Sequence, residues 1–147
     1  MEVKVKHFSE LTLDELYELM RARQEVFVVE QDCVYLDADG KDKNAYHVFI
    51  EENGKILAAL RVLDRGVSYK DVSIGRVITT RRGAGLGGEV IKVGIEVAKK
   101  KFGADVIRIS AQVQASGFYK KYGFKQVSDI YLEDNIDHFE MVLETGI

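Results

Sequence analysis

Hydrophobic and polar residues alternate with a period of two in several short runs, which is typical of half-buried β-strands. The first such run covers residues 1–7, and a second covers residues 46–50. Asn53-Gly54 joins the second run to a third at 56–63, and Asn-Gly between two apolar runs is a strong hairpin signal. A fourth run at 69–79 predicts that the hairpin continues into an antiparallel meander of three strands.

Two other segments carry apolar residues at helical spacing. Thr12 and Glu15 form a predicted capping box, and the residues after them predict a helix over about 13–28. A longer amphipathic pattern begins at Leu86 and ends before Gly103, a predicted C-terminal cap. An apolar strand at 106–111 follows, and a strand–helix–strand passage predicts parallel pairing through a right-handed crossover.

The remainder of the chain predicts a short helix that ends at Gly123, then a loop containing Asp134, and a final strand at 138–143. Neither a repeat nor a break in composition divides the 147 residues. We therefore expect residues 1–147 to form one domain of mixed helices and strands, which is long enough to enclose a hydrophobic core.

Composition narrows the function classes. Hydrophobic residues make up 46% and charged residues 31% of the chain, as in ordinary globular proteins. A net charge of −3 argues against nucleic acid as the main partner, and no apolar run approaches membrane-spanning length. A single cysteine, Cys33, excludes an internal disulfide framework and is consistent with a cytoplasmic protein.

The candidate chemistry is concentrated between the fourth predicted strand and the long helix. Gly83, Gly85, Gly87 and Gly88 lie there within six residues, preceded by Arg81-Arg82. A glycine loop at a helix N-terminus exposes backbone N–H groups to a phosphate or pyrophosphate. The loop differs from a P-loop, because no Gly-Lys-Ser/Thr follows, and it lacks the third glycine of a dinucleotide-binding turn.

The spacing Arg82-x-x-Gly85-x-Gly87 resembles the signature loop of the GNAT superfamily of acyl-CoA-dependent N-acyltransferases. A second resemblance lies at Tyr119-x-x-x-Gly123-Phe124, since GNAT members carry a tyrosine four residues before a Gly-Phe pair that ends a short helix. Residues 23–31 and 111–115 resemble the ElaA-like branch of the superfamily. The resemblance runs from the first helix to the last strand.

The resemblance implies an α+β fold of the GNAT type, an α/β sandwich in which a mixed central sheet of about six or seven strands is flanked by about four helices. It also implies acetyl-CoA as cosubstrate. A bulge near Gly75 would separate the fourth strand from its parallel neighbour, and the freed backbone would bind the pantetheine arm. The residues expected to bind the cosubstrate are Val77, Ile78, Thr79, Arg82, Gly83, Ala84, Gly85, Leu86, Gly87, Gly88, Gln112, Phe118 and Tyr122.

The expected reaction moves an acetyl group from acetyl-CoA to a primary amine by direct attack in a ternary complex. Tyr119 is the expected general acid, because a phenol is protonated at neutral pH and suits a thiolate leaving group. The general base is left open between Glu30 and His138, with Asp37, Asp39, His47 and a water chain as further candidates. The acidic segment 30–39 would attract a cationic amine; alternatively it is a solvated loop.

Several alternatives remain at this stage. Cys33 would serve as the nucleophile of a ping-pong route, although no paired histidine is evident and a structural thiol is the simpler interpretation. Three scattered histidines lack metal-ligand spacing, so no metal is expected. The acceptor would be a small-molecule or peptide amine, and the protein a monomer or homodimer without nucleic-acid or membrane partners. A non-catalytic coenzyme A-binding regulatory module is the alternative function.

Overall fold

The central element of the protein is one mixed β-sheet, seen in a computed structural model that describes residues 2–147. Its eight strands are β1 (Lys4–His7), β2 (Tyr46–Glu52), β3 (Lys55–Leu63), β4 (Val72–Thr79), β5 (Val106–Gln112), β6 (Lys125–Gln126), β7 (Tyr131–Glu133) and β8 (Ile136–Glu144). Met1, which the sequence prediction includes in the first strand, lies outside the described residues. The strands are hydrogen-bonded in the order β1-β2-β3-β4-β5-β8-β6, with β7 paired to β8.

Three α-helices complete this part of the fold: α1 (Leu13–Arg23), α2 (Leu86–Phe102) and α3 (Ser116–Lys121). The predicted antiparallel meander of β2, β3 and β4 is confirmed, and so is the parallel pairing of β4 with β5 across α2. The sheet has eight strands, where about six or seven are expected from the sequence. It is accompanied by three α-helices, where about four are expected.

The hydrophobic core is divided into two layers by the sheet. One layer packs α2 against β2, β3, β4 and β5 through residues such as Val90, Ile91 and Val97. The second layer packs Leu19, Ala22 and other residues of α1 against the opposite face. Burying aliphatic side chains on both faces stabilises the sheet that carries the cleft described below.

The first helical segment departs from its prediction in two ways. Its capping box is confirmed, because the Thr12 hydroxyl accepts from the Glu15 N–H and the Glu15 carboxylate accepts from the Thr12 N–H. The α-helix ends at Arg23, however, and continues as a wider π-helical segment, Gln24–Glu30. Leu13, expected within the apolar pattern, is 85% exposed, and the buried face is formed by Leu19, Ala22 and Val26 instead.

Strand β4 contains a β-bulge near Gly75, as expected. The register between β3 and β4 shifts by one residue between Ala59 and Arg61, and opposite this point Arg76 has a φ of +52°. The residue that adopts the left-handed conformation is Arg76, which follows Gly75 directly. The bulge reverses the alternation of side chains along β4, so that Val77 packs on the α2 side of the sheet together with Val72 and Ile74.

Candidate active site

A cleft opens between β4 and β5 because the two strands diverge. Within residues 2–147 they are paired only at Val72–Ile107 and Ser73–Arg108, although β5 continues along β8 as far as Gln112. The bulge at Arg76 occupies the diverging part of β4. The result is a cavity of about 330 Å³ whose walls include residues 74–79 of β4 and Ile109, Ser110 and Gln112 of β5. Such unpaired strand edges can hydrogen-bond an extended ligand.

One end of the cleft meets the N-terminus of α2. Gly83 and Gly85 have φ values of +77° and +72°, a backbone conformation that glycine adopts without steric cost. Gly85 is the N-cap of α2, so the first N–H groups of this long helix are available to an anion. Arg82 lines the same end of the cleft, where its guanidinium contacts the carboxylate of Glu30.

Two further glycines of this region allow close packing. A Cβ on Gly87 would approach the Thr79 methyl group at 3.3 Å, and a Cβ on Gly88 would lie 2.1 Å from the Tyr122 hydroxyl. Gly88 therefore permits Tyr122, the residue that follows α3, to approach the first turn of α2 closely. This contact connects the glycine loop to the helix that carries Tyr119.

Tyr119 lies in the wall of the cleft, between aromatic neighbours. Its ring makes edge contacts with Phe118 and Phe124, at centroid distances of 5.2 and 5.9 Å. Burial raises the pKa of the Tyr119 phenol well above its usual range, since the charged phenolate is poorly solvated there. The hydroxyl is therefore protonated at neutral pH and can act only as a proton donor or a neutral hydrogen-bonding group.

His138 and Glu133 also line the cleft. His138 is 6% exposed and comes from β8, whereas Glu133 ends β7 and has a half-exposed side chain. Their facing atoms, His138 Nε2 and Glu133 Oε2, are 3.4 Å apart. The turn between β7 and β8 consists of Asp134-Asn135, both with positive φ, as in a two-residue hairpin.

The expected acidic wall is wrong for Asp37 and Asp39, because both carboxylates are paired with arginines, although only Asp37 is buried. Arg23 Nε lies 2.9 Å from Asp37 Oδ2, and Arg76 Nε lies 2.9 Å from Asp37 Oδ1. Arg61 Nη2 donates to Asp39 Oδ2 at 2.7 Å. Charge-paired carboxylates of this kind neither attract a free amine nor act as its base.

Asp42 completes this set of ion pairs, which we call the Arg/Asp network: Arg23, Arg61, Arg76, Asp37, Asp39 and Asp42. Asp42 accepts from Arg23 at 2.7 Å and from Arg61 at 3.1 Å. His47 is buried beneath the network, its Nε2 3.0 Å from the Asp42 carbonyl oxygen. Burial lowers the pKa of His47. Asp37, Asp39 and His47 are thus structural, and none of them lines the cleft.

The cleft brings together some of the residues expected from the sequence and leaves others outside. Glu30 is exposed at the rim of the cleft, where it pairs with Arg82. Tyr122 packs against Gly88 in the first turn of α2. Gly83, Ala84 and Gly85 form the exposed loop, and Leu86 and Gly88 are buried in the first turn of α2. The expected residues that line the cleft are Val77, Ile78, Thr79, Arg82, Gly87, Gln112, Phe118, Tyr119 and His138.

Several lining residues were not identified from the sequence: Val26, Phe27, Ser110 and Glu133. Phe27 and Val26 reach the cleft from the π-helical segment. A π-helix has more residues per turn than the 3.6 assumed for an α-helix, so the α-helical pattern does not predict which of its residues face the cleft. Glu133 had an available signal, because Asp134-Asn135 between two β-prone runs predicts a hairpin. Cys33 donates to the Asp134 carbonyl oxygen at a sulfur–oxygen distance of 3.4 Å.

Two classes of feature are absent from residues 2–147. In this part of the chain, no helix combines the length and the apolar character needed to cross a membrane. Nor do these residues include a group of three His, Cys, Asp or Glu side chains arranged to hold a metal ion.

Comparison with known proteins gives a consistent family. Residues 5–145 match the family described as acetyltransferase (GNAT) domain. The UPF0039 protein sll0451 of Synechocystis is 36% identical over 140 residues, which cover 93% of this chain and 91% of the relative. Protein ElaA of Escherichia coli is 34% identical over 142 residues, with 94% and 93% covered.

Solved structures agree with this result. An acyl-CoA N-acyltransferase from Pseudomonas aeruginosa has a TM-score of 0.90 at 37% identity, with 97% of this chain and 99% of that chain covered. The crystal structure of Escherichia coli ElaA also gives a TM-score of 0.90, at 34% identity and with 98% and 100% covered. These matches support acyl transfer in general terms, and the chain belongs to the GNAT acetyltransferase family as an ElaA-like protein.

Proposed function

We propose that the protein transfers the acetyl group of acetyl-CoA to a primary amine by direct attack in a ternary complex. The observation that carries this proposal is the divergence of β4 from β5, which connects the glycine loop at one end to Tyr119 in the wall of the cleft. A cosubstrate with an anionic head and a long, hydrogen-bonding arm fits that shape. The acceptor would be a small-molecule or peptide amine of the cytoplasm.

The glycine loop and Arg82 would bind the pyrophosphate of the cosubstrate. N–H groups at the start of α2 favour negative charge through the helix dipole, and a guanidinium pairs well with phosphate oxygens. Glu30 holds Arg82 in the described structure, so a phosphate would replace one anionic partner by another. This interpretation assigns Glu30 a role at the rim rather than that of the base.

The pantetheine arm would run along β4, and the backbone near Val77 and Ile78 would polarise the thioester carbonyl. Thioesters are already activated, so positioning contributes a large part of the rate. As the carbon–sulfur bond breaks, the Tyr119 hydroxyl would donate its proton to the sulfur. Of the two candidate bases, His138 is favoured over Glu30 because it lines the cleft.

The first test is calorimetry of the full chain with coenzyme A and acetyl-CoA, followed by measurement of thiol release from acetyl-CoA with and without an amine. We expect binding of both nucleotides and thiol release that depends on the amine. Arg82→Ala should weaken coenzyme A binding about tenfold or more, because a charge-assisted contact to phosphate is lost. Arg81→Ala is the matched control, since Arg81 pairs with Glu52 instead.

Two results would contradict the proposal. Absence of any coenzyme A binding by the folded protein removes its basis. Binding without thiol release for any acceptor would favour a regulatory module that holds coenzyme A but does not react.

A further inference from the structure

A small recess adjoins the cleft and shares part of its wall. Its volume is about 60 Å³, far below the 330 Å³ of the cleft. Phe27, Gln31, Gln112, Glu133 and His138 line both spaces. A group bound in the recess would therefore face the cleft directly, at the place where the proposed function requires the acceptor amine.

The hydrogen bonding of His138 determines which ring nitrogen carries the proton. His138 Nδ1 lies 2.7 Å from the backbone carbonyl oxygen of Ile136. A carbonyl oxygen only accepts, so Nδ1 must be the protonated nitrogen of the neutral ring. Nε2 then carries a lone pair, and it is this atom that faces Glu133 Oε2 at 3.4 Å.

When the His138 ring is neutral, two hydrogen-bond acceptors therefore face one another across the recess wall. A carboxylate oxygen and an unprotonated imidazole nitrogen have no hydrogen to share. The arrangement is completed by a donor that reaches both atoms. A protonated primary amine has three N–H donors and a positive charge, and so satisfies both acceptors at once.

The carboxylate is held in position for this contact. Glu133 Oε1 accepts from the Ser110 hydroxyl at 3.3 Å, which leaves Oε2 directed toward His138. The Ser110 hydroxyl is also 2.6 Å from that of Tyr131, and the Tyr131 ring stacks on His138 with an interplanar angle of 17°. The pair is therefore preorganised by neighbours from three strands of the sheet.

The charge and size of the recess limit which acceptor amines can bind there. Arg76 also lines it, but its guanidinium is paired with Asp37 and Asp39 and so does not oppose a second cation. Phe27 and Tyr35 are packed edge to face, with centroids 6.5 Å apart, and they supply an apolar surface. A volume this small suits a compact aliphatic amine.

We propose that Glu133 and His138 form the acceptor subsite, which binds a compact, cationic primary amine and deprotonates it at His138 Nε2. This inference rests on the proposed acetyl transfer. One ammonium proton passes to His138 and then to solvent. The nitrogen–carbon bond forms, the carbon–sulfur bond breaks, and the sulfur takes the Tyr119 proton. A second proton of the amine restores the Tyr119 hydroxyl, so one proton is released overall.

The test uses acetyl-CoA with n-propylamine and a short peptide with a free N-terminus as acceptors. We expect the wild type to prefer n-propylamine. Glu133→Gln should raise the KM for n-propylamine about tenfold, since an amide does not compensate the ammonium charge, and Glu133→Asp should recover part of the loss. His138→Gln should lower kcat about a hundredfold, in the range expected for loss of a general base.

Controls separate this subsite from general damage to the protein. The calorimetric Kd for coenzyme A should be unchanged in the Glu133 variants. Glu144→Gln makes the same chemical change on β8 at the opposite end of the β5 pairing, opposite Val106, and should behave as the wild type. Glu133 lies on an exposed hairpin, so its variants remain informative even if His138→Gln fails to fold.

The outcomes distinguish the two proposals. An unchanged amine KM in Glu133→Gln, or a wild type that acetylates the peptide but not n-propylamine, overturns the subsite and leaves acetyl transfer intact. Absence of thiol release with every acceptor overturns both.

Discussion

At the scale of single residues, the proposed chemistry depends most on the surroundings of Tyr119. Burial raises the pKa of its phenol, so the proton is retained across the neutral and mildly alkaline range. The thiol of the leaving group has a pKa near that of a free thiol, about 8.5. The Tyr119 hydroxyl is thus a weak acid, but it keeps its proton and can donate a hydrogen bond to the developing thiolate.

Replacing Tyr119 by phenylalanine tests this role directly. The ring contacts with Phe118 and Phe124 are retained, so we expect the fold and the Kd for coenzyme A to be unchanged. The kcat for amine-dependent thiol release should fall about a hundredfold, as expected when a general acid is removed. Tyr17→Phe, which deletes the same hydroxyl from an exposed position on α1, is the control. Undiminished turnover in Tyr119→Phe would exclude Tyr119 as the acid.

At the scale of elements, the bulge in β4 determines where the cleft opens. A left-handed conformation costs a residue with a Cβ about 1–2 kcal/mol, and Arg76 adopts it with a φ of +52°. Its side chain offsets that cost by pairing with Asp37 and Asp39 and by lying over the Tyr35 ring at 5.6 Å. The Arg/Asp network therefore supports the backbone that borders the cleft.

A pair of substitutions at Arg76 separates the energetic cost of its backbone conformation from the contribution of its side chain. Arg76→Ala and Arg76→Gly lose the same ion pairs, but only glycine adopts a positive φ without steric cost. We expect the glycine variant to be the more stable by about 1 kcal/mol, measured as the free energy of unfolding in urea. At Arg81, which is absent from the positive-φ residues, the same pair should show the usual preference for alanine. Equal stability of the two Arg76 variants would mean that the bulge relaxes.

Local sequence patterns predicted which helices and strands form better than they predicted which side chains reach the cleft. The Asn53-Gly54 hairpin and the Thr12 capping box depend on neighbours in the chain, and both are present. The π-helical segment and the positive φ at Arg76 depend on contacts distant in sequence. Phe27 and Arg76 therefore reach the cleft in ways that no short-range periodicity encodes.

At the scale of the whole molecule, the Arg/Asp network joins segments that are far apart in the sequence. Arg23 comes from α1, Arg61 from β3 and Arg76 from β4, and their carboxylate partners lie between residues 37 and 42. Asp37 and Asp39 belong to the acidic segment 30–39, which the sequence suggests is either an acidic wall for a cationic amine or a solvated loop. Their arginine partners are separated in sequence, so only the folded chain identifies these carboxylates as members of an ion-pair network.

The network makes the stability of the protein depend on acid pH. Burial disfavours the charge on Asp42, but hydrogen bonds and charge from Arg23 and Arg61 outweigh it and lower its pKa. The pKa of Asp39 is likewise lowered, mainly by Arg61. Because the unfolded carboxyls have a pKa of about 3.9, their stabilisation is complete above that value and is lost as the pH falls toward the folded pKa.

His47 also makes the folded protein less stable as the pH falls, and its effect begins at a higher pH. Its folded pKa is lowered by burial, whereas an unfolded histidine takes up a proton below about pH 6.5. The unfolded state therefore binds more protons than the folded state as the pH falls below that value, and stability decreases. We expect the free energy of unfolding to decline gradually below about pH 6.5 and more steeply below about pH 4.

Asp42→Asn isolates the contribution of the network, because asparagine imitates the protonated carboxyl. At pH 7 the substitution should lower the free energy of unfolding by about 3 kcal/mol, since Arg23 and Arg61 lose a shared buried anion. At pH 3 the difference from the wild type should shrink, because the wild type loses the same stabilisation by protonation. Urea titrations from pH 7 to pH 3 measure both values, with the exposed Asp129→Asn as control. A difference that does not change with pH would show that the charge of Asp42 contributes nothing, and that its role is limited to hydrogen bonds that asparagine cannot reproduce.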